Sequence, residues 1–124
     1  MSDADTIFAE VLAAWGRCFN GGDARGVSDM FTANAIFQGL RPEPKFGKGE
    51  ILTYYENVPA STTVLAQPIS VYRIGGGVIG GIAEIVFTGP DGRQRPVNLS
   101  MLLCADRGAW RICHYHVSNC QPAD

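Results

Sequence analysis

Residues 96–118 read "PVNLSMLLCADRGAWRICHYHVS", and the way they pair decides the fold. Two runs rich in aliphatic, β-branched and aromatic residues flank Arg107-Gly108, a dipeptide suited to a tight turn. They make a β-hairpin. With that turn, Ala105 lies opposite Trp110, and an unbroken register pairs Leu103 with Ile112, Met101 with His114 and Leu99 with His116. This register puts the chain's two histidines, His114 and His116, on one face with Leu99, Met101, Leu103 and Ile112. The other face carries Leu102, Cys104, Arg111, Cys113, Tyr115 and Val117. Both faces are mostly apolar, so both are expected to be covered, one by helices and one by another chain. The expected state is a homodimer or a larger homo-oligomer.

Upstream, "TVLAQPISVYRI" (63–74) and "GVIGGIAEIVFT" (77–88) have the same strand character. Gly75-Gly76-Gly77 and Pro90-Asp91-Gly92 supply the turns between these strands and the hairpin. Four strands in succession make an antiparallel meander. Glycine weakens a strand unless a bend or bulge needs it, so Gly80-Gly81 predicts the point where the sheet curls. The turn "TGPDGRQRP" permits an even or an odd count, so either Glu84 or Ile85 looks toward the histidines. Glu84 is the carboxylate embedded in the apolar run "IAEIVF".

Before the meander the period changes. Ile7, Val11, Leu12, Trp15 and Phe19 recur every three or four residues, which predicts an amphipathic helix from Thr6 to about Asn20. Asp3, Asp5 or Thr6 caps it, and Gly21-Gly22 ends it. Asp23 caps a second short helix whose apolar face holds Val27, Met30 and Phe31. "NAIFQGL" (34–40) reads as a short strand and "RPEPKFGKGE" (41–50) as an irregular loop, whose Arg41, Lys45 and Lys48 are read as solvated, with gating of a pocket mouth as the alternative. Residues 51–57 form a third helix, stopped by Pro59. Three helices followed by a meander give an α+β fold with one curved sheet, a cone open at one end.

Composition narrows the function classes. A chain of 124 residues with 46% hydrophobic and 18% charged residues has the make-up of one globular domain, residues 1–124. Its net charge of −2 is spread without a basic stripe, which argues against nucleic acid as a partner. No segment approaches the roughly 20 apolar residues of a membrane span, and the acidic N-terminus is unlike a secretory signal. A cytoplasmic protein is expected. The four cysteines lack a CxxC pair and are read as thiols.

With these residues in hand, the chain resembles the NTF2-like (cystatin-like) superfamily. Within it, the chain is similar to the association (hub) domain of calcium/calmodulin-dependent protein kinase II and to bacterial SgcJ/EcaC-like and SnoaL-like proteins. The resemblance rests on the helix-"NGGD"-helix opening, "YYEN", "TTVL", the "IG" of "YRIGGG", the "DGRQRP" turn, and a tryptophan followed by "HYHVS". It implies three helices against a curved sheet, a pocket at the open end and oligomerisation through the sheet. The hub domain's pocket is lined by basic groups that suit a carboxylate. The matching places here are Ile51, Ile85 (or Glu84) and Met101, so the resemblance implies a pocket that has lost its anion site.

What remains is an apolar cavity bounded by Ile51, Tyr54 or Tyr55, Ile85, Leu99 and Met101, with Trp15 and Phe37, suited to a hydrophobic small molecule. Histidines beside such a cavity would be neutral and able to accept a proton. His116, His114 and Glu84 are therefore the candidate catalytic groups of a cofactor-independent isomerase, cyclase or dehydratase, the chemistry the superfamily implies. Two histidines roughly 7 Å apart along a strand could share a metal, but only Glu84 offers a third ligand, so no metal is expected. Binding of a hydrophobic molecule is the leading reading. An enzyme and an assembly module with a vestigial pocket are the alternatives.

Overall fold

The computed structural model describes residues 3–120. The opening segment folds as its period predicts: α1 (Asp3–Asn20) buries Ala4, Phe8, Val11, Leu12, Trp15 and Phe19 along one stripe. Asp3 and Asp5 lie in its first turn, where acids favour the helix dipole, and the residue that would cap it falls outside the described residues. After the glycine turn, the Asp23 side chain accepts a hydrogen bond from the Gly26 N–H at 2.9 Å and caps α2 (Ala24–Asp29), as expected. Phe31, expected on that helix, begins β1 (Phe31–Gln38) instead. The loop expected to be irregular contains β2 (Lys45–Phe46) and the start of α3 (Gly47–Glu56).

The meander follows as β3 (Thr63–Gly75), β4 (Val78–Thr88), β5 (Gln94–Asp106) and β6 (Ala109–Asn119). Each strand pairs antiparallel with the next. β1 adds to the far side of β6 in parallel, and the six strands run in the order β2-β1-β6-β5-β4-β3. The helices cover one face. Val97, Leu99, Met101 and Leu103 point from β5 into the core, and Ile79, Ala83 and Ile85 from β4.

The double glycine carries no bulge toward β5 and has a packing role. β4 runs through Gly80 and Gly81 in unbroken register with β5. A side chain on Gly81 would enter the ring of Phe8, so the glycine lets α1 lie close against the sheet. On the opposite face the Tyr72 ring covers Gly80.

The last hairpin corrects the unbroken register. Ala105 pairs with Trp110 and Leu103 with Ile112, as expected, but Leu102 pairs with His114, so that Cys113 is an extra residue in a β-bulge. The Cys113 thiol donates to the Leu102 carbonyl at 3.5 Å. Beyond the bulge the faces are exchanged: Met101 meets Tyr115 and Leu99 meets Val117 inside, while His114 faces outward beside Leu102 and His116 beside Ser100.

Candidate functional site

The open end of the cone holds a cleft of about 1380 Å³, and aromatic rings from four elements build its floor. Phe19 comes from the end of α1, Tyr54 and Tyr55 from α3, Phe87 from β4 and Tyr115 from β6. The rings support one another. Phe19 meets Phe87 at 5.5 Å and Tyr55 at 6.2 Å between centroids, and Tyr115 stacks on Phe37 at 4.4 Å with only 13° between the planes. Val58 and Val117 add apolar surface.

Polar atoms in this floor are few and linked. The Trp15 Nε1–H donates to the Tyr55 hydroxyl at 3.1 Å, and the Tyr55 and Tyr115 hydroxyls are hydrogen-bonded to each other. The cluster thus has three donor hydrogens, and its two internal bonds use two of them. These two bonds leave one phenolic hydrogen over, on residues that line the cleft. Burial raises the pKa of both phenols; the Trp15 hydrogen bond pulls the other way at Tyr55, and the neighbouring Tyr55 adds to the rise at Tyr115. Both stay protonated and able to donate at neutral pH.

The rim is made by loops held in place. Gln38 Nε2 donates to the carbonyls of Arg41 and Pro42 at 2.7 and 3.2 Å, and the Leu40 N–H donates to the Tyr54 hydroxyl at 3.1 Å. At the β4–β5 turn, Gly89 and Arg93 share a backbone hydrogen bond of 2.9 Å. The loops carry Arg41, Asp91 and Arg93 at the cleft, and β2, the first turn of α3 and the start of β5 add Lys45, Glu50 and Arg95.

The expected site residues divide accordingly. Tyr54 and Tyr55 both line the cleft. Trp15, Phe37, Ile51, Ile85, Leu99 and Met101 are fully buried core residues that do not line it, because the aromatic rings fill the space where an apolar cavity was expected. Ile85 points inward and Glu84 outward, opposite Asn98. His114, half-buried, and His116, exposed, lie on the outer face, separated from the cleft by the sheet. The bulge at Cys113 is what displaced them. No group of three His, Cys, Asp or Glu side chains among the described residues could hold a metal ion.

Sequence reasoning did not place Tyr115, Phe19, Phe87, Arg93 or Arg95 at the cleft, and it ranked a place at the pocket mouth for Arg41, Lys45 and Lys48 below a solvated loop; Arg41 and Lys45 line the cleft, and Lys48 does not. Alternation did mark Tyr115 as facing opposite to both histidines, and only the bulge made that the inner face. Arg41 and Lys45 were visible as charges in a loop, but their approach to Arg93 and Arg95 depends on the way the sheet brings distant loops together.

Comparison with known proteins agrees with this architecture. No curated protein matches the sequence significantly. Among solved structures, a cystatin-like domain of unknown function from Nostoc punctiforme superposes with a TM-score of 0.86 at 13% identity, covering 98% of this chain and 80% of the other. A ketosteroid isomerase-like protein from Erwinia carotovora gives 0.80 at 18% identity, covering 98% and 100%. A protein from Xanthomonas campestris described as a calcium/calmodulin-dependent protein kinase II association domain gives 0.77 at 15%, covering 94% and 87%. At these identities the likeness speaks to the fold. The sequence itself matches the SnoaL-like domain profile over residues 9–123, nearly its whole length, and the chain therefore belongs to the SnoaL-like domain family.

Proposed function

We propose that the protein binds a small molecule with a flat, largely apolar body in the cleft at the open end of its cone. The observation that carries this reading is the ring-lined floor, in which the Tyr55 and Tyr115 phenols have one more donor hydrogen than their bonds with Trp15 and each other use. Rings give apolar contact area at little entropic cost, and the donor selects a ligand with an oxygen acceptor at its inner end. A thermal-shift screen of aromatic ketones and related hydrophobic metabolites tests it, repeated on Tyr55→Phe and His116→Ala. Ligand-induced shifts that shrink in Tyr55→Phe and persist in His116→Ala are expected. Shifts lost only in His116→Ala would move the site to the outer face and overturn the proposal.

The same phenolic donor favours a second reading, an enzyme that stabilises an enolate-like oxygen during proton transfer. The carboxylates available to the cleft as bases are Glu50 and Asp91, and both already accept backbone N–H bonds, from Phe46 at 2.9 Å and Arg93 at 3.0 Å. Binding without turnover is therefore the leading reading. Exchange of a bound ketone's α-hydrogens in D₂O, followed by NMR, separates the two: catalysed exchange selects the enzyme.

Self-association through the outer sheet face belongs to the same proposal. Leu65, Tyr72 and Ile82 are exposed there, at 76%, 52% and 39% of their full surface, a degree that suits a covered face. Light scattering behind size exclusion is expected to give at least a dimer at micromolar concentration. A monomer would remove this part of the account.

A further inference from the structure

The rim charge is out of proportion to the chain. Four of the ten lysines and arginines line the cleft, Arg41, Lys45, Arg93 and Arg95, against two of the twelve acids, in a protein with a net charge of −2. Those two acids are engaged elsewhere. Glu50 accepts the Phe46 N–H at the start of α3, and Asp91 accepts the Arg93 N–H within its turn. The salt bridge found among the described residues, Arg111 to Asp106 at 3.6 Å, lies away from the cleft. Among the described residues the four rim cations have no carboxylate within salt-bridge distance.

Scattered unpaired cations are ordinary on a surface. Four of like sign lining one concave, aromatic-floored opening repel one another, and a bound anion relieves that repulsion, an effect that salt weakens because Arg41, Arg93 and Arg95 are exposed. The backbone is held at two of the four, Arg41 by the Gln38 side chain and Arg93 by its turn, which fixes where these two side chains start. Resting on the pocket reading above, we infer that the ligand is an anion, an apolar-bodied acid whose charged group is held by Arg41, Lys45, Arg93 and Arg95 at the rim. Arg41 and Arg93 stand in loops at the rim, Lys45 in β2 and Arg95 at the start of β5. The anion site that the sequence reading expects to be lost concerns other positions, in α3 and on the central strands.

The test uses 2-naphthoate and 2-naphthamide, which share one ring system and differ in charge, titrated into the protein by calorimetry. At about 20 mM salt the naphthoate is expected to bind roughly tenfold more tightly, and raising salt to about 500 mM should reduce that preference to within about threefold. The double variant Arg93→Gln/Arg95→Gln should weaken naphthoate by about fivefold and leave naphthamide within about twofold. Equal affinities for the two compounds, or a preference that ignores both salt and the double variant, overturn the anion assignment while leaving the pocket intact. Failure of both compounds to bind at millimolar concentration overturns the pocket reading and this inference with it.

Discussion

The indole N–H of Trp15 donates to the Tyr55 hydroxyl at 3.1 Å, a bond that joins the middle of α1 to α3 beneath the cleft. Trp15 has no exposed surface, so its indole N–H has no water to turn to if the phenol oxygen is lost. A side chain that lines the cleft thus also holds the fold together.

Replacing Tyr55 by Phe removes the acceptor and leaves a buried indole N–H unpaired. Stability should fall by about 1–3 kcal/mol, read from urea denaturation. Tyr54→Phe, whose hydroxyl accepts the Leu40 N–H nearer the surface, should cost less, about 1 kcal/mol or under.

Alkaline pH should destabilise the protein through the buried phenols. Desolvation raises the folded-state pKa of Tyr55 and of Tyr115 above the ordinary value of 10.0. Above about pH 10 the unfolded chain releases these protons and the folded one keeps them, so unfolding is favoured as pH rises. The full contribution is present below pH 10. Burial, aided by the neighbouring Cys104 thiol, also pushes Cys113 up from 9.0 to about 12, which starts the decline near pH 9. Denaturation midpoints measured from pH 7 to 11 should fall over this window, and less steeply in Tyr55→Phe.

The two adjacent glycines should respond unequally to alanine. Gly81→Ala drives a methyl into the Phe8 ring, which is fully buried between α1 and the sheet, and should cost about 1–3 kcal/mol. Gly80→Ala meets only the half-exposed Tyr72 ring, which can swing away, so the loss should be smaller. Thermal melts of both variants give the comparison.

The bulge predicts opposite fates for neighbours in the last hairpin. Met101→Ala opens a cavity in the core and should cost about 2–5 kcal/mol. His116→Ala on the outer face should change stability by no more than about 0.5 kcal/mol in the monomer. Equal losses would mean that both residues face inward.

Much of the fold was legible because local patterns and tertiary demands agree. The three- and four-residue spacing of Phe8, Val11, Leu12, Trp15 and Phe19 gives the buried stripe of α1, and the four strand-like runs become β3 to β6. The site was less legible for two physical reasons. A single extra residue, Cys113, reverses every facing beyond it, so that Tyr115 instead of the histidines meets Met101. The parallel pairing of β1 with β6 and the meeting of the rim loops join residues far apart in sequence, and no local period encodes such contacts.

The most direct test of the cleft as the binding site is an amide-resolved NMR titration with neutral 2-naphthamide, which probes the site apart from its charge. The largest shifts are expected at Leu40, Tyr54, Tyr55, Gly89, Tyr115 and Val117, with Ile82, Ser100 and His116 unmoved. Shifts concentrated at Ile82, Ser100 and His116 would place binding on the outer face and contradict the account.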